Sequence, residues 1–223
     1  MQGNLAVRAL AKFLSGLILM GLLLFVPAGT LDFWQAWLLL GALFIPMLIA
    51  GAALLVRAPA LLEKRLSARE TQGEQRVVVL LSGMMFLVAF LLAGLNRRLG
   101  WPMLPGAASW AAAGVFLIGY GLYAEVLREN AWLSRTVEVQ DGQRVVDTGL
   151  YGVVRHPMYT STLLMFLSMP LVLGCVPSFI VMLGYVPILV LRIRNEEAVL
   201  ERGLAGYADY ERRVRWRLLP RIW

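Results

Sequence analysis

Six apolar runs, each long enough to form a helix, punctuate this chain at short intervals, and they constrain its fold more than any other feature. They lie at about Leu10–Val26, Phe33–Val56, Val77–Leu95, Ala107–Leu127, Met158–Leu173 and Val176–Leu191. A bilayer core of ~30 Å takes about 20 apolar residues in a helix, so the first four runs read as complete crossings. The fifth is short for a crossing. Gly174 to Pro177 separate it from the sixth, and the pair reads as a tight helical hairpin. The chain is 59% hydrophobic and 16% charged, outside the range of ordinary soluble domains. The expected fold class is therefore an all-α integral membrane protein with about six hydrophobic segments. No small-residue cleavage site follows the first run, and further runs come after it, so it reads as a retained span rather than a signal peptide.

The net charge of +7 would suggest nucleic acid in a soluble protein. Here it has a simpler origin. With six crossings and the N-terminus inside, 19 of the 21 Lys and Arg residues fall on one face. Only Arg97 and Arg98, beside the Trp101-Pro102 turn, fall on the other. That asymmetry is the positive-inside pattern and predicts cytoplasmic N- and C-termini. The expected partners are the bilayer and a lipidic molecule, with no nucleic acid. Cys175 is the single cysteine, which excludes an internal disulfide and a Cys-rich metal site. No metal ligation is expected.

The loops are uneven. Arg57 to Arg76 is a charged connection. Arg128 to His156 is long and polar, with two alternating pieces, residues 135–139 and 143–146, around the turn dipeptide Asp141-Gly142. That pattern predicts a short extended hairpin at the cytoplasmic surface. After the sixth run the tail is charged and reads as helical through Glu196 to Tyr210.

Polar residues gather at both ends of the predicted hairpin. The first cluster is Asp147-Thr148-Gly149-Leu150-Tyr151-Gly152-Val153-Val154-Arg155-His156-Pro157-Met158-Tyr159. Pro157 suits the first turn of a helix, and His156, the only histidine, sits at its start. The second cluster is Arg192-Ile193-Arg194-Asn195-Glu196-Glu197, in which Arg192 and Glu196 share one helix face. Taken singly, an Arg-His pair also marks the end of any span, and an Arg-x-x-x-Glu pair is an ordinary surface ion pair. Tyr207 and Tyr210 read equally as interfacial anchors. Gly119 and Gly121 in the fourth run suit either a close ligand or helix packing. Together, ionisable residues at the ends of adjoining spans mark a site.

The combined order Gly149-x-Tyr151, Arg155-His156-Pro157-x-Tyr159, an apolar hairpin, then Arg192-x-x-x-Glu196-Glu197-x-x-Leu200 and Tyr207-x-x-Tyr210 resembles the isoprenylcysteine carboxyl methyltransferase family. The related phospholipid N-methyltransferases share much of it. The resemblance covers about Tyr120 to Pro220. It implies S-adenosyl-L-methionine as cofactor, in a cytoplasm-facing pocket formed by Gln143, Val145, Val146, Tyr151, Arg155, His156, Pro157, Tyr159, Glu196 and Glu197. It implies Arg192, Glu196 and His156 as catalytic residues, with Arg192 toward the acceptor. On that reading residues 1–106 are N-terminal transmembrane helices and 107–223 a methyltransferase-like core with a cytoplasmic tail. The acceptor would be lipidic or prenylated. Membrane sterol reductases that use NADPH carry a similar Arg-His-Pro-x-Tyr stretch, usually continued by Gly-Glu. Here the continuation is Thr160-Ser161-Thr162. A non-catalytic lipid-binding protein is the third reading.

Overall fold

A computed structural model describes residues 2–67, 73–133 and 139–223. The described residues are helical, with no strand among them. Helix α1 (Gln2–Ala28) and α2 (Trp34–Arg57) are joined at Gly29, whose φ of +67° is the left-handed value glycine adopts cheaply. A short α3 (Pro59–Ser67) follows, then α4 (Gly73–Arg98) and α5 (Gly106–Glu129). Next come α6 (Pro157–Val172), α7 (Val176–Met182), α8 (Tyr185–Gly203) and α9 (Tyr207–Arg213). Five stretches are long and apolar enough to cross a membrane: Asn4–Ala28, Trp34–Arg57, Val77–Arg98, Gly106–Glu129 and Val176–Gly203. Pro157–Val172 is a shorter apolar helix. The protein is thus a multi-pass, all-α membrane protein, and most of its large exposed side chains are apolar.

Small residues set the packing, as expected where lipid is as apolar as leucine. Helices α5 and α6 form the most extensive pair. A Cβ on Gly119 would lie 2.8 Å from Met165 Cγ and 3.0 Å from the Ser161 carbonyl oxygen, so glycine lets the two backbones meet. Gly121 has open space around it. Helix packing is thus seen at Gly119 and not at Gly121. Gly94 does the same for α1 and α4, against the Leu24 carbonyl and Ala28. The main core lies between α1, α2, α4, α5 and α6, around Leu24, Phe33, Leu39 and Phe116.

The charged connection after α2 contains α3, which buries Leu62. Two expectations are corrected. The second limb of the hairpin is not one helix. It breaks at Leu183–Gly184, where Pro187 offers no N–H to the Leu183 carbonyl and Val186 N–H takes that carbonyl instead, at 3.1 Å. Ser178 Oγ then ties α7 to the Ala89 carbonyl of α4 at 2.8 Å. The tail is not continuously helical to Tyr210. It turns at Leu204–Gly206, with Gly206 at φ +83°, before α9. The predicted extended hairpin is described only in part, because residues 134–138 lie outside the described residues. Its turn is present, with Gly142 at φ +72° and Gln143 N–H on the Gln140 carbonyl at 3.0 Å. Residues 143–146 form no strand among the described residues.

A candidate ligand cleft at one end of the bundle

Both chain ends of the α6–α8 hairpin emerge at the same end of the bundle. The tail after α9 returns there and is stitched to the Arg-His-Pro segment. Arg155 N–H donates to the Trp216 carbonyl at 2.8 Å and His156 N–H to the Arg217 carbonyl at 2.9 Å. Thr160 Oγ1 donates to the Leu218 carbonyl at 2.8 Å. Pro157 then opens α6, with His156 as the residue before it.

The centre of this assembly is Glu197. Its Oε1 takes Arg155 Nε at 2.9 Å and Nη2 at 2.8 Å, and His156 Nε2 lies 3.1 Å away. Its Oε2 takes Arg217 Nε at 2.7 Å. Arg155 reaches further, to Glu211 Oε1 at 2.9 Å and the Val214 carbonyl at 3.3 Å. One carboxylate therefore joins α8, the Arg-His-Pro segment and the tail. Paired and hydrogen-bonded in this way, a buried charge is tolerated.

Beside this hub opens a cleft that is open to solvent on one side. One wall carries Trp132, Gln143, Val145 and Val146; another carries His156, Tyr159, Arg192 and Glu196; Tyr151, Tyr207 and Tyr210 close it. The Tyr159 hydroxyl takes Arg192 Nε at 2.8 Å and donates to Glu196 Oε2 at 2.5 Å. The Arg192 guanidinium also lies over the Tyr159 ring, 5.8 Å from its centroid, and the His156 ring stacks on the same Tyr159 ring at 5.7 Å. The register of α8 explains the sorting. Tyr185, Leu189, Ile193 and Glu197 recur every fourth residue and are buried, whereas Arg192, Glu196 and Leu200 form the neighbouring stripe that faces the cleft.

The loop wall is held by side-chain amides. Asn130 Nδ2 donates to the Tyr151 hydroxyl at 2.8 Å, and Asn130 Oδ1 accepts from Trp132 N–H at 2.9 Å. Gln143 Oε1 accepts from Gln140 N–H at 2.8 Å. Tyr210 donates to the Tyr151 carbonyl at 2.8 Å. Burial pushes the Tyr151 phenol up to about 12, against the opposing hydrogen bond from Asn130. Burial pushes those of Tyr207 and Tyr210 up as well. All three are neutral donors at physiological pH.

Of the residues named from sequence, Gln143, Val145, Val146, Tyr151, Arg155, His156, Tyr159, Arg192 and Glu196 line one cleft. Pro157 and Glu197 do not. Glu197 stands behind the wall, and Arg155, though at the cleft, has all its guanidinium nitrogens on protein acceptors. The sequence reading missed Asn130, Trp132, Leu133 and Leu204 as lining. Asn130 was findable as a polar stop to α5; the others carry no local signal.

The fold and the cleft define a class: a polytopic helical membrane protein with a cleft lined by ionisable residues where its last spans meet its tail. Residues 107–205 match the family model of the phospholipid methyltransferases. The chain is also similar to the Delta(14)-sterol reductase TM7SF2 of Mus musculus, 30% identical over 91 residues. That stretch is 40% of this chain and 22% of the relative, so the chain spans about a fifth of the curated relative it matches.

Proposed function

We propose that this protein is an S-adenosylmethionine-dependent membrane methyltransferase of a lipidic acceptor, with carboxyl O-methylation of an isoprenylcysteine-like group as the first reading and N-methylation of a phospholipid as the second. The observation that carries this is the Arg192–Tyr159–Glu196 hydrogen-bonded chain inside the cleft. It lies within the stretch that matches the phospholipid methyltransferase family. On this reading residues 107–223 carry the chemistry, residues 1–106 fill out the bundle in the bilayer, and both termini are cytoplasmic.

The cleft suits the proposed cofactor chemically. Glu196 offers a carboxylate to a cationic ligand, Trp132 an aromatic surface, and Tyr207 an uncommitted buried hydroxyl. When bound, S-adenosylmethionine would supply a sulfonium methyl to a lone pair of the acceptor, leaving as S-adenosylhomocysteine. The protein's work is alignment and exclusion of water. Arg192, held by Tyr159, is the guanidinium for an anionic acceptor, and two parallel N–H groups orient a carboxylate well. A carboxylate acceptor needs no base. An amine acceptor must lose a proton, and His156 or Glu196, both lining the cleft, is the base for that case.

A second reading has an observation of its own. The similarity to the mouse sterol reductase favours an NADPH-dependent reductase. Against it, Ser161 stands where the reductases usually place glutamate, and it is fully buried beside Gly119. A carboxylate there would be buried without a partner.

Calorimetric titration of the protein in detergent micelles separates the readings. S-adenosylhomocysteine should bind, and Glu196→Ala and His156→Ala should weaken it. Binding of NADPH in its place would transfer the chain to the reductases. Folded protein that binds neither would support the non-catalytic reading.

A further inference from the structure

Four buried side-chain atoms among the described residues lack a hydrogen-bond partner: both amide atoms of Asn96, Ser109 Oγ and Tyr207 Oη. Only Tyr207 belongs to the cleft. The residue is 4% exposed. A buried hydroxyl with no partner is costly, and native proteins rarely keep one without a use. Its neighbour Tyr210, at a ring-centroid distance of 5.8 Å, shows the ordinary solution, donating to the Tyr151 carbonyl. A phenylalanine at 207 would fill the same apolar nest of Val139, Val145, Leu200 and Leu204 without the unmet hydroxyl. Burial also pushes the Tyr207 phenol up, so it holds its proton and acts as a donor.

We infer that the Tyr207 hydroxyl is a ligand-binding donor, left without a protein partner because the adenosyl cofactor supplies the acceptor. The inference rests on the methyltransferase reading above. It has a signature that a packing role does not share: the hydroxyl should cost stability in the empty protein and contribute affinity in the loaded one.

The test compares Tyr207→Phe and Tyr210→Phe with the unaltered protein, by thermal melting without ligand and by calorimetry with S-adenosylhomocysteine. Tyr207→Phe should melt at the same temperature or higher and bind roughly three- to tenfold more weakly, the usual worth of one hydrogen bond. Tyr210→Phe should melt lower, because it strands the Tyr151 carbonyl. Unchanged affinity in Tyr207→Phe overturns the inference, as does a lower melting temperature without ligand. If the unaltered protein itself binds no S-adenosylhomocysteine, the proposed function fails and this inference with it.

Discussion

Arg155 and Glu197 are ion-paired at 2.8 Å with each side chain 4% exposed, although 41 residues separate them. Glu197 also holds His156 and Arg217, so the pair fixes the position of the cleft's only histidine and closes the tail over it. Removing the carboxylate leaves two guanidinium groups without their common partner. Glu197→Ala is expected to cost about 3–5 kcal/mol, the usual loss when one member of a buried pair is deleted. Denaturant titration in micelles measures it; a change below about 1 kcal/mol would mean that the hub is dispensable.

The Tyr159 hydroxyl is the link between Arg192 and Glu196. Hydrogen bonds to charged groups contribute about 1.5–3 kcal/mol. On the proposed function, Tyr159→Phe should lower kcat/KM by roughly ten- to a hundredfold. Its melting temperature should fall much less than that of Glu197→Ala. Steady-state kinetics with full activity retained would remove Tyr159 from the site.

Gly119 and Gly121 should respond oppositely to alanine. At 119 the added methyl meets Met165 and the Ser161 carbonyl, and about 1–3 kcal/mol of overpacking is expected. At 121 nothing lies within 4 Å, and alanine, the better helix former, should be neutral or stabilising by up to about 1 kcal/mol. Comparative melts decide this. Weakened S-adenosylhomocysteine binding by Gly121→Ala with no loss of stability would instead return the glycine pair to the ligand site.

Alkali should unfold the cleft end. The Tyr151 phenol is raised to about 12 by burial, and those of Tyr207 and Tyr210 are raised too. An unfolded tyrosine titrates near ~10. The stability tied to the protonated phenols is therefore fully present below that value and lost as pH rises through the folded-state values. Melting temperature should decline above about pH 10, and Tyr151→Phe should flatten the decline. Ultraviolet titration provides the check: phenolate from all seven tyrosines near pH ~10 with the fold intact would contradict it.

Much of this site was legible because its elements are local. Three of the four long spans were read within a few residues of their ends, since hydropathy needs no knowledge of partners; α1 starts eight residues before its apolar run, at Gln2. The Arg-His-Pro-x-Tyr and Arg-x-x-x-Glu-Glu segments were expected at one face, since a hairpin returns the chain to the side it left. Helix α3 was hidden by its charges, because one buried leucine on a short helix gives little periodic signal. The break at Gly184 was hidden by hydropathy, which registers apolar side chains and not the missing N–H of Pro187.

By itself the sequence determined the membrane class, the number and placement of the apolar segments, and the two clusters that meet at the cleft. These depend on composition summed along the chain. Tertiary structure alone decided what each member of a cluster does. Glu196 and Glu197 are chemically identical, yet adjacent helical residues point about 100° apart. One therefore faces the cleft and binds Tyr159, while the other faces inward to Arg155, His156 and Arg217. Tyr207 and Tyr210 differ in the same way, by whether a carbonyl from 59 residues earlier lies within reach of the hydroxyl. Such partners are set by packing between segments remote in sequence, which no local pattern encodes.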